Sequence, residues 1–482
     1  MADINIYQET QIVQKMKRRN RPVRALLNGT ASIREGIENK NGDAEPSVVE
    51  YIQKEEKESK TMYANRMMRT YVTPYLKTAI SDATGQIFKN PISIKTTDNA
   101  ELDSRIESIL KNVDMQGTDL NEWIMKSTDE SLGYGMVLAY GGFSNPTSSE
   151  NLSEQISSGA RPFIKMVSYF DLLGFNFDSQ GRITMLRFQE EADIQDDFLG
   201  SDRVTQVRVV YPTKYEVYRM DENNNGILFD SGKIARFDEN KKQITTHVPV
   251  EVMYGRKLAT LNAASVFEDM AFMNLEHTQV NSDLNWSSHF YLTPFLITTM
   301  GENSGNLEGD INPTLASYVN LNLPYGADAK WVETNGSAHK SGMEQIQSIE
   351  RRMSVSQMSS SVSVSGAKET ATGRALDADS TNAKLKLHAE AVETFAKQII
   401  QMLASFMPDV RLPDFTVIAN KDFNIALNGQ TISDMSNMVI AKQLSLETML
   451  SELKRRGILA DDIEIVQEMQ RIQDEMALEG VS

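Results

Sequence analysis

Several short stretches hold residue types that could do chemistry. Residues 221–226, Asp-Glu-Asn-Asn-Asn-Gly, begin like a calcium loop, which gathers oxygens around a hard cation. The closing bidentate glutamate belongs at position 232, which is Gly, and the stretch lies between two strand-like runs, so it reads as a hairpin turn. Residues 365–368, Ser-Gly-Ala-Lys, have the spacing of a serine acyltransferase nucleophile and its lysine, but the companion motifs S-D-N and K-T-G are absent. The overlapping GAKETATGR has the glycine and lysine content of a phosphate cradle without its spacing or a preceding strand. The histidines, His247, His277, His289, His339 and His388, include no pair four apart, which removes a helical zinc-hydrolase site. His277 sits on an apolar helical stripe and reads as a packed or interface residue. Glu190, Glu191, Asp193, Asp196 and Asp197 are dense enough to hold a divalent metal, yet a run of charge is more often a solvated face.

The elements that would carry these residues follow from periodicity. Helical spacing runs from Tyr63 to Phe88 through Met67, Tyr71, Tyr75, Ala79, Ala83 and Ile87, with Pro74 placed to kink or break it. A second helix is expected from about Leu120 to Ser131, followed by a buried strand in LGYGMVLAYGGF. Residues 161–254 are β-rich: FIKMVSYF, ITMLRFQEE, VTQVRVVYP, KYEVYRM and GILFDSG are strand-like runs between turn signals. Beyond Gly255 come a helix at 261–289, a Gly- and Pro-punctuated stretch, and a helix from near Gly342. A Ser-rich segment then leads into a helix from about Thr372 to Met407, roughly 54 Å long at 1.5 Å per residue. Its apolar stripe runs through Leu385, Val392, Phe395, Ile399 and Leu403; a short strand in FTVIANKDF and polar helices over 430–477 complete the chain. Residues 1–48 mix Lys15, Lys17, Arg18, Arg19, Arg21 and Arg24 with loop formers, and read as an arm with little core of its own.

The chain has 482 residues, which predicts two or more lobes of an α+β fold. Cysteine is absent, which excludes disulfides and thiolate metal sites and suits a reducing compartment. Neither a signal-peptide core nor a membrane-length apolar run is present, so a soluble intracellular protein is expected. A net charge of -17 argues against broad gripping of nucleic acid phosphates, although it suits a surface past which a polyanion must slide.

The order of these elements, together with several strings, resembles the portal proteins of tailed bacteriophages, in a divergent branch long catalogued as a family of unknown function. The strings are ALLNGTASIREG (25–36), YANRMMRTYVTPYLKTAISDATGQIFKNP (63–91), EDMAFMNLEHTQVNSDLNWSSHFYLTPFLIT (268–298), LPYGADAKWVE (323–333), ETATGRALDADSTNAKLKLHAEAVETFAKQI (369–399) and NKDF (420–423), the last followed by LSLETMLSELKRRGIL. The resemblance implies a subunit of a ring, typically of twelve copies, at one capsid vertex, assembled in the host cytoplasm. Double-stranded DNA would be packaged and ejected through its channel. It implies an arm at 1–48, a wing at 49–262, stem helices at 263–289 and 340–358, a clip between them at 290–339, a tunnel loop at 359–371, a long wing helix and return strand at 372–420, and a helical crown at 421–482.

On this resemblance Ser361, Ser363, Ser365, Lys368 and Arg374 would face the channel, and Tyr325, Lys330 and Trp331 would dock the terminase large subunit or the head-completion and tail adaptor proteins. The major capsid and scaffolding proteins are further implied partners; no cofactor, metal or membrane is implied. Small polar residues suit a loop that projects into a channel with nothing to pack against. Lys368 would either present a ring of positive charge to DNA or be an ordinary solvated lysine. The long helix would find its packing partner in the neighbouring subunit and the wing. Two other classes stay open on the residues alone: a metal-dependent hydrolase or nuclease at the Glu190 cluster, and a scaffold that binds partner helices through Met-rich stripes.

Overall fold

A left-handed glycine marks the centre of the protein. Helix α5 (Leu120–Tyr134) ends at Gly135, whose φ of 89° is open to glycine without strain, and strand β2 (Met136–Ser144) starts at once. A Cβ at Gly135 would lie 2.1 Å from the Ala264 carbonyl oxygen, so the turn is closed to any other residue. The computed structural model describes residues 6–34, 46–97, 101–144, 160–196, 200–220, 226–291, 295–299, 328–332, 337–356, 371–421, 423, 429–455, 459 and 463–479.

Strand β2 is the middle of a three-stranded antiparallel sheet, between β3 (Arg161–Val167) and β9 (Val250–Tyr254). It is buried from Met136 to Gly142, which is why its sequence is a continuous apolar run without alternation. The covering layers are α5 and the long helix α8 (Ala371–Ser405), and Trp123 of α5 stacks on Phe395 of α8 with centroids 6.2 Å apart. A second sheet is a five-stranded antiparallel meander of β4 (Leu172–Phe177), β5 (Ile183–Asp196), β6 (Gly200–Val210), β7 (Lys214–Met220) and β8 (Gly226–Lys233). The pairing of Met220 with Gly226 makes β7 and β8 a hairpin across the would-be calcium loop, in keeping with the turn reading; residues 221–225 themselves lie outside the described residues. A two-stranded pair joins distant parts of the chain, β1 (Ser93–Thr96) with β14 (Phe415–Ile418). The fold is α+β.

Pro74 does break its helix, into α2 (Lys60–Arg69) and α3 (Tyr75–Ile87). Met67, Ala79, Ala83 and Ile87 are buried as their spacing predicts, whereas Tyr71 falls in the break and is exposed, and Leu76, outside the expected stripe, is buried in place of the half-buried Tyr75. The N-terminal segment departs from expectation. Helix α1 (Gln11–Arg34) buries Val13, Met16, Val23, Ala25 and Leu26 in the main core, so it is a structural layer and not an arm. Four of its cations have partners of this kind: Lys17 with Glu9, Arg19 with Glu268, Arg21 with Glu50, and Arg24 over the Phe170 ring at 4.4 Å. Long basic side chains can border apolar surface while their heads stay in polar company.

Candidate functional site

Two helices, α6 (Glu268–Tyr291) and α7 (Ser337–Ser356), leave the lobe side by side. Their contacts run in opposite order: Glu276 with Arg352 at 3.0 Å, His277 with Glu350 at 3.4 Å, and Ser288 with His339 at 3.4 Å. They are therefore antiparallel. Near the middle Gly342 lets the backbones close up, since a Cβ there would meet Leu284 Cδ2 at 2.5 Å.

The root of α6 is polar on its buried side, and several of these polar groups satisfy backbone or side-chain partners. Pro74 breaks the helix before α3 and so leaves backbone groups without partners. The Asn274 side chain fills two of them: its Oδ1 accepts from Leu76 N at 3.2 Å and its Nδ2 donates to the Thr73 carbonyl at 3.1 Å. Thr278 donates back to the Asn274 carbonyl at 2.8 Å, and the Ser282 and Thr70 hydroxyls meet at 2.8 Å. Glu268, in the first turn of α6, takes a two-pronged bond from Arg19 at 2.6 and 2.8 Å, a placement that also suits the positive end of the helix dipole. Arg66 bonds Glu58 at 2.8 Å and Asp283 at 3.2 Å, tying α2 to the outer part of α6.

Where the pair meets α3, Tyr75, His277 and Glu350 converge. The Tyr75 hydroxyl donates to Glu350 Oε1 at 2.7 Å, and the Tyr75 ring meets the imidazole edge-on at 5.2 Å between centroids. Burial pushes His277 below the ordinary histidine range, with Glu350 opposing it, and burial raises Tyr75 well above the phenol range. His277 is 3% exposed and its Nδ1 has no partner among the described residues. A neutral imidazole with one idle nitrogen is a packing and coupling group between the helix pair and the lobe, which agrees with the reading of His277 as a packed residue. Glu350 and Asn274 carry no signal in the sequence, because each acts on a backbone or ring that only the tertiary fold brings near.

At the far end of the pair, β12 (Phe295–Thr299) and β13 (Asp328–Val332) form an antiparallel hairpin with Leu296 opposite Trp331 and Ile297 opposite Lys330. Lys330 and Trp331 are thus neighbours on one strand, while Tyr325 lies outside the described residues. No third strand joins this hairpin among the described residues, and two-stranded hairpins are marginal alone in water. Ser361, Ser363, Ser365 and Lys368 lie outside the described residues, and Arg374 is placed on the first turns of α8 by its backbone alone.

Over much of its length α8 packs on earlier parts of its own chain, one of the two partners expected for it. Leu385, Ala389, Val392, Phe395, Ile399 and Leu403 are buried within the same chain, so no neighbouring subunit is required to cover them. The physical reason is the three-stranded sheet, which offers this helix a full apolar face.

The acidic run also reads differently in three dimensions. Glu190 is 2% exposed, bonded to Lys165 at 2.8 Å, Gln206 at 2.7 Å and Arg208 at 2.9 Å, so at this position the run is buried and not solvated. Burial alone would raise its pKa; Arg208 and Lys165 overturn that and hold it at about 2. Among the described residues no group of three or more His, Asp or Glu is arranged to hold a metal ion, and no helix is long and apolar enough to cross a membrane.

Residues 266–407, which span the helix pair, its hairpin and α8, match the family described as Domain of unknown function (DUF4055). No curated protein matches the chain.

Proposed function

We propose that the protein is a portal subunit: a non-enzymatic, ring-forming protein at one capsid vertex whose central channel passes double-stranded DNA, and a platform on which terminase and head-completion or tail proteins dock. The observation that carries this reading is the antiparallel helix pair rooted in the α+β lobe, followed along the chain by a two-stranded hairpin that no third strand joins among the described residues. Such a hairpin suits pairing with a neighbour, and copies around an axis supply one. In this reading α6 and α7 are the stem, β12 and β13 belong to the clip that meets terminase, and the segment between α7 and α8 is the tunnel loop. The ATP-driven chemistry of packaging lies in the terminase. The charge of -17 keeps DNA from sticking to the channel wall.

Negative-stain imaging with native mass spectrometry of the purified protein tests the proposal. Rings with a central hole and a single subunit number are expected; uniform monomers, or a one-to-one complex with a helical partner, overturn it. The metal-dependent hydrolase has less support, because Glu190, the residue it would lean on, is committed to two cations and an amide.

A further inference from the structure

The β5–β6 ribbon outruns its own sheet. Strand β4 pairs with β5 only as far as Phe188, and β7 pairs with β6 no further out than Val207. The two central strands nevertheless stay in register from Glu191 opposite Thr205 to Asp196 opposite Gly200. Six residues at ~3.3 Å each make a projection of about 20 Å, with no third strand on either side among the described residues. Its strands carry Glu191, Asp193, Asp196 and Asp202 against one cation, Arg203, which reaches Glu191 at 3.3 Å.

A feature of opposite character lies between α8 and the β1–β14 pair, a groove of about 810 Å³. Its wall includes the consecutive residues from Thr416 to Lys421. Successive side chains of a strand point to opposite faces, so a groove that touches all of them reaches the strand's edge. Strand β14 pairs with β1 and with no other strand among the described residues. The lining combines apolar Pro91, Val417 and Ile418 with Lys386, Lys421 and Glu393. Lys386 makes no ion pair among the described residues. Lys421 bonds Glu393 at 2.8 Å, and the same carboxylate accepts from the Ala419 amide at 3.0 Å. A carboxylate of the same chain thus already bridges Lys421 and the amide just past β14, which leaves Lys386 as the groove lysine without such a partner.

Resting on the ring reading, we propose that the acidic ribbon of one copy docks in the lysine-bearing groove of the next. Ribbon and groove are different surfaces, so each copy gives one and receives one, the heterologous contact from which rings close. A polyphosphate would also seek the lysines, but apolar lining residues and an open strand edge offer it nothing, while both suit a β-ribbon.

The chain has no cysteine, which makes the test direct. Asp196→Cys and Lys386→Cys placed together in the full chain should give, on mild oxidation, a ladder of covalent multimers on a denaturing gel, and each substitution alone no more than dimers. Separately, Lys386→Glu with Lys421→Glu should weaken assembly by about tenfold or more, and adding Asp193→Lys with Asp196→Lys should restore it. Wild-type rings together with no ladder and no effect of charge reversal overturn the ribbon contact and leave the ring reading standing; absence of wild-type rings removes the ring reading itself. Charge-reversed rings that assemble normally but retain less duplex DNA make the groove a polyphosphate site and also overturn the contact.

Discussion

The lobe around β2 and the three C-terminal helices treat their apolar residues in opposite ways. In the lobe, one face of α8 from Leu385 to Leu403 is covered by strands and helices of its own chain, with Phe395 and Ile399 fully enclosed, while Leu387 on another face is 66% exposed. In the tail, α9 (Gly429–Ile440), α10 (Leu446–Arg455) and α11 (Ile465–Glu479) bury Leu450 and Leu453 between them, yet leave Ile440 79% exposed and Val466 70% exposed. The first region buries a continuous apolar face within the chain. The second encloses only a few apolar side chains among the described residues. The contrast separates residues that hold the chain's own fold from residues whose apolar surface is left to solvent, and each side can be broken independently.

The largest effect is expected in the lobe. Phe395→Ala removes a buried ring stacked on Trp123 and should cost about 4 kcal/mol, read as a lower urea midpoint with an unchanged slope; a cost below about 1 kcal/mol would mean that α8 is not the lobe's packing centre. Next comes the buried ion-pair network. Glu190→Gln leaves Lys165 and Arg208 facing a neutral group and should cost about 3 kcal/mol. Because the folded pKa of about 2 lies below the ordinary carboxylate value, that contribution is present above pH ~4.5 and is lost as pH falls through ~2. Stability of the wild type and of Glu190→Gln measured from pH 7 down to pH 2 should therefore converge.

Glu251, on β9, is the counterpart with the opposite sign. Burial raises its pKa to about 7, with Arg236 opposing the shift. The protonated form is the one the fold favours, so its contribution is complete below the ordinary carboxylate value and is lost as pH rises through about 7. Glu251→Gln should stabilise by on the order of 2 kcal/mol at pH 8 and be neutral at pH 4; equal gains at both pH values would reject the assignment. The smallest effect on the isolated chain is expected in the tail, where Ile440→Ser should change stability by less than about 0.5 kcal/mol. On the proposed ring reading its consequence should appear in assembly, as faster subunit exchange between differently labelled rings; a large loss of chain stability would place Ile440 in the lobe's class instead.

Much of the lobe is legible in the sequence because its signals are local. Pro74 divides a periodic run where a missing amide must break it, and the stripe from Leu385 to Leu403 marks a buried face by spacing alone. Strand β2 announces itself as an unbroken apolar run between glycines. What stays hidden is what depends on distant neighbours. The apolar residues of α1 are diluted among cations whose acidic partners lie up to hundreds of positions away, so its burial is invisible locally. Glu190 looks like one member of a solvated run until Lys165 and Arg208 close on it. The candidate site is legible in outline: helix, Gly- and Pro-punctuated stretch, helix, then a Ser-rich stretch and a long helix, while the strand pair within the first stretch is not. The convergence of Tyr75, His277 and Glu350, and the point at which the β5–β6 ribbon outlasts its flanking strands, exist only as pairings between separate stretches.

The bond between Arg19 and Glu268 joins residues 249 positions apart. On a ribosome that adds roughly 5–20 residues per second, Arg19 waits about 12–50 s before its acceptor has even been made. The ion pair is thus among the last contacts of α1 to form, well after α3 and α5, against which its apolar side also packs, have left the ribosome.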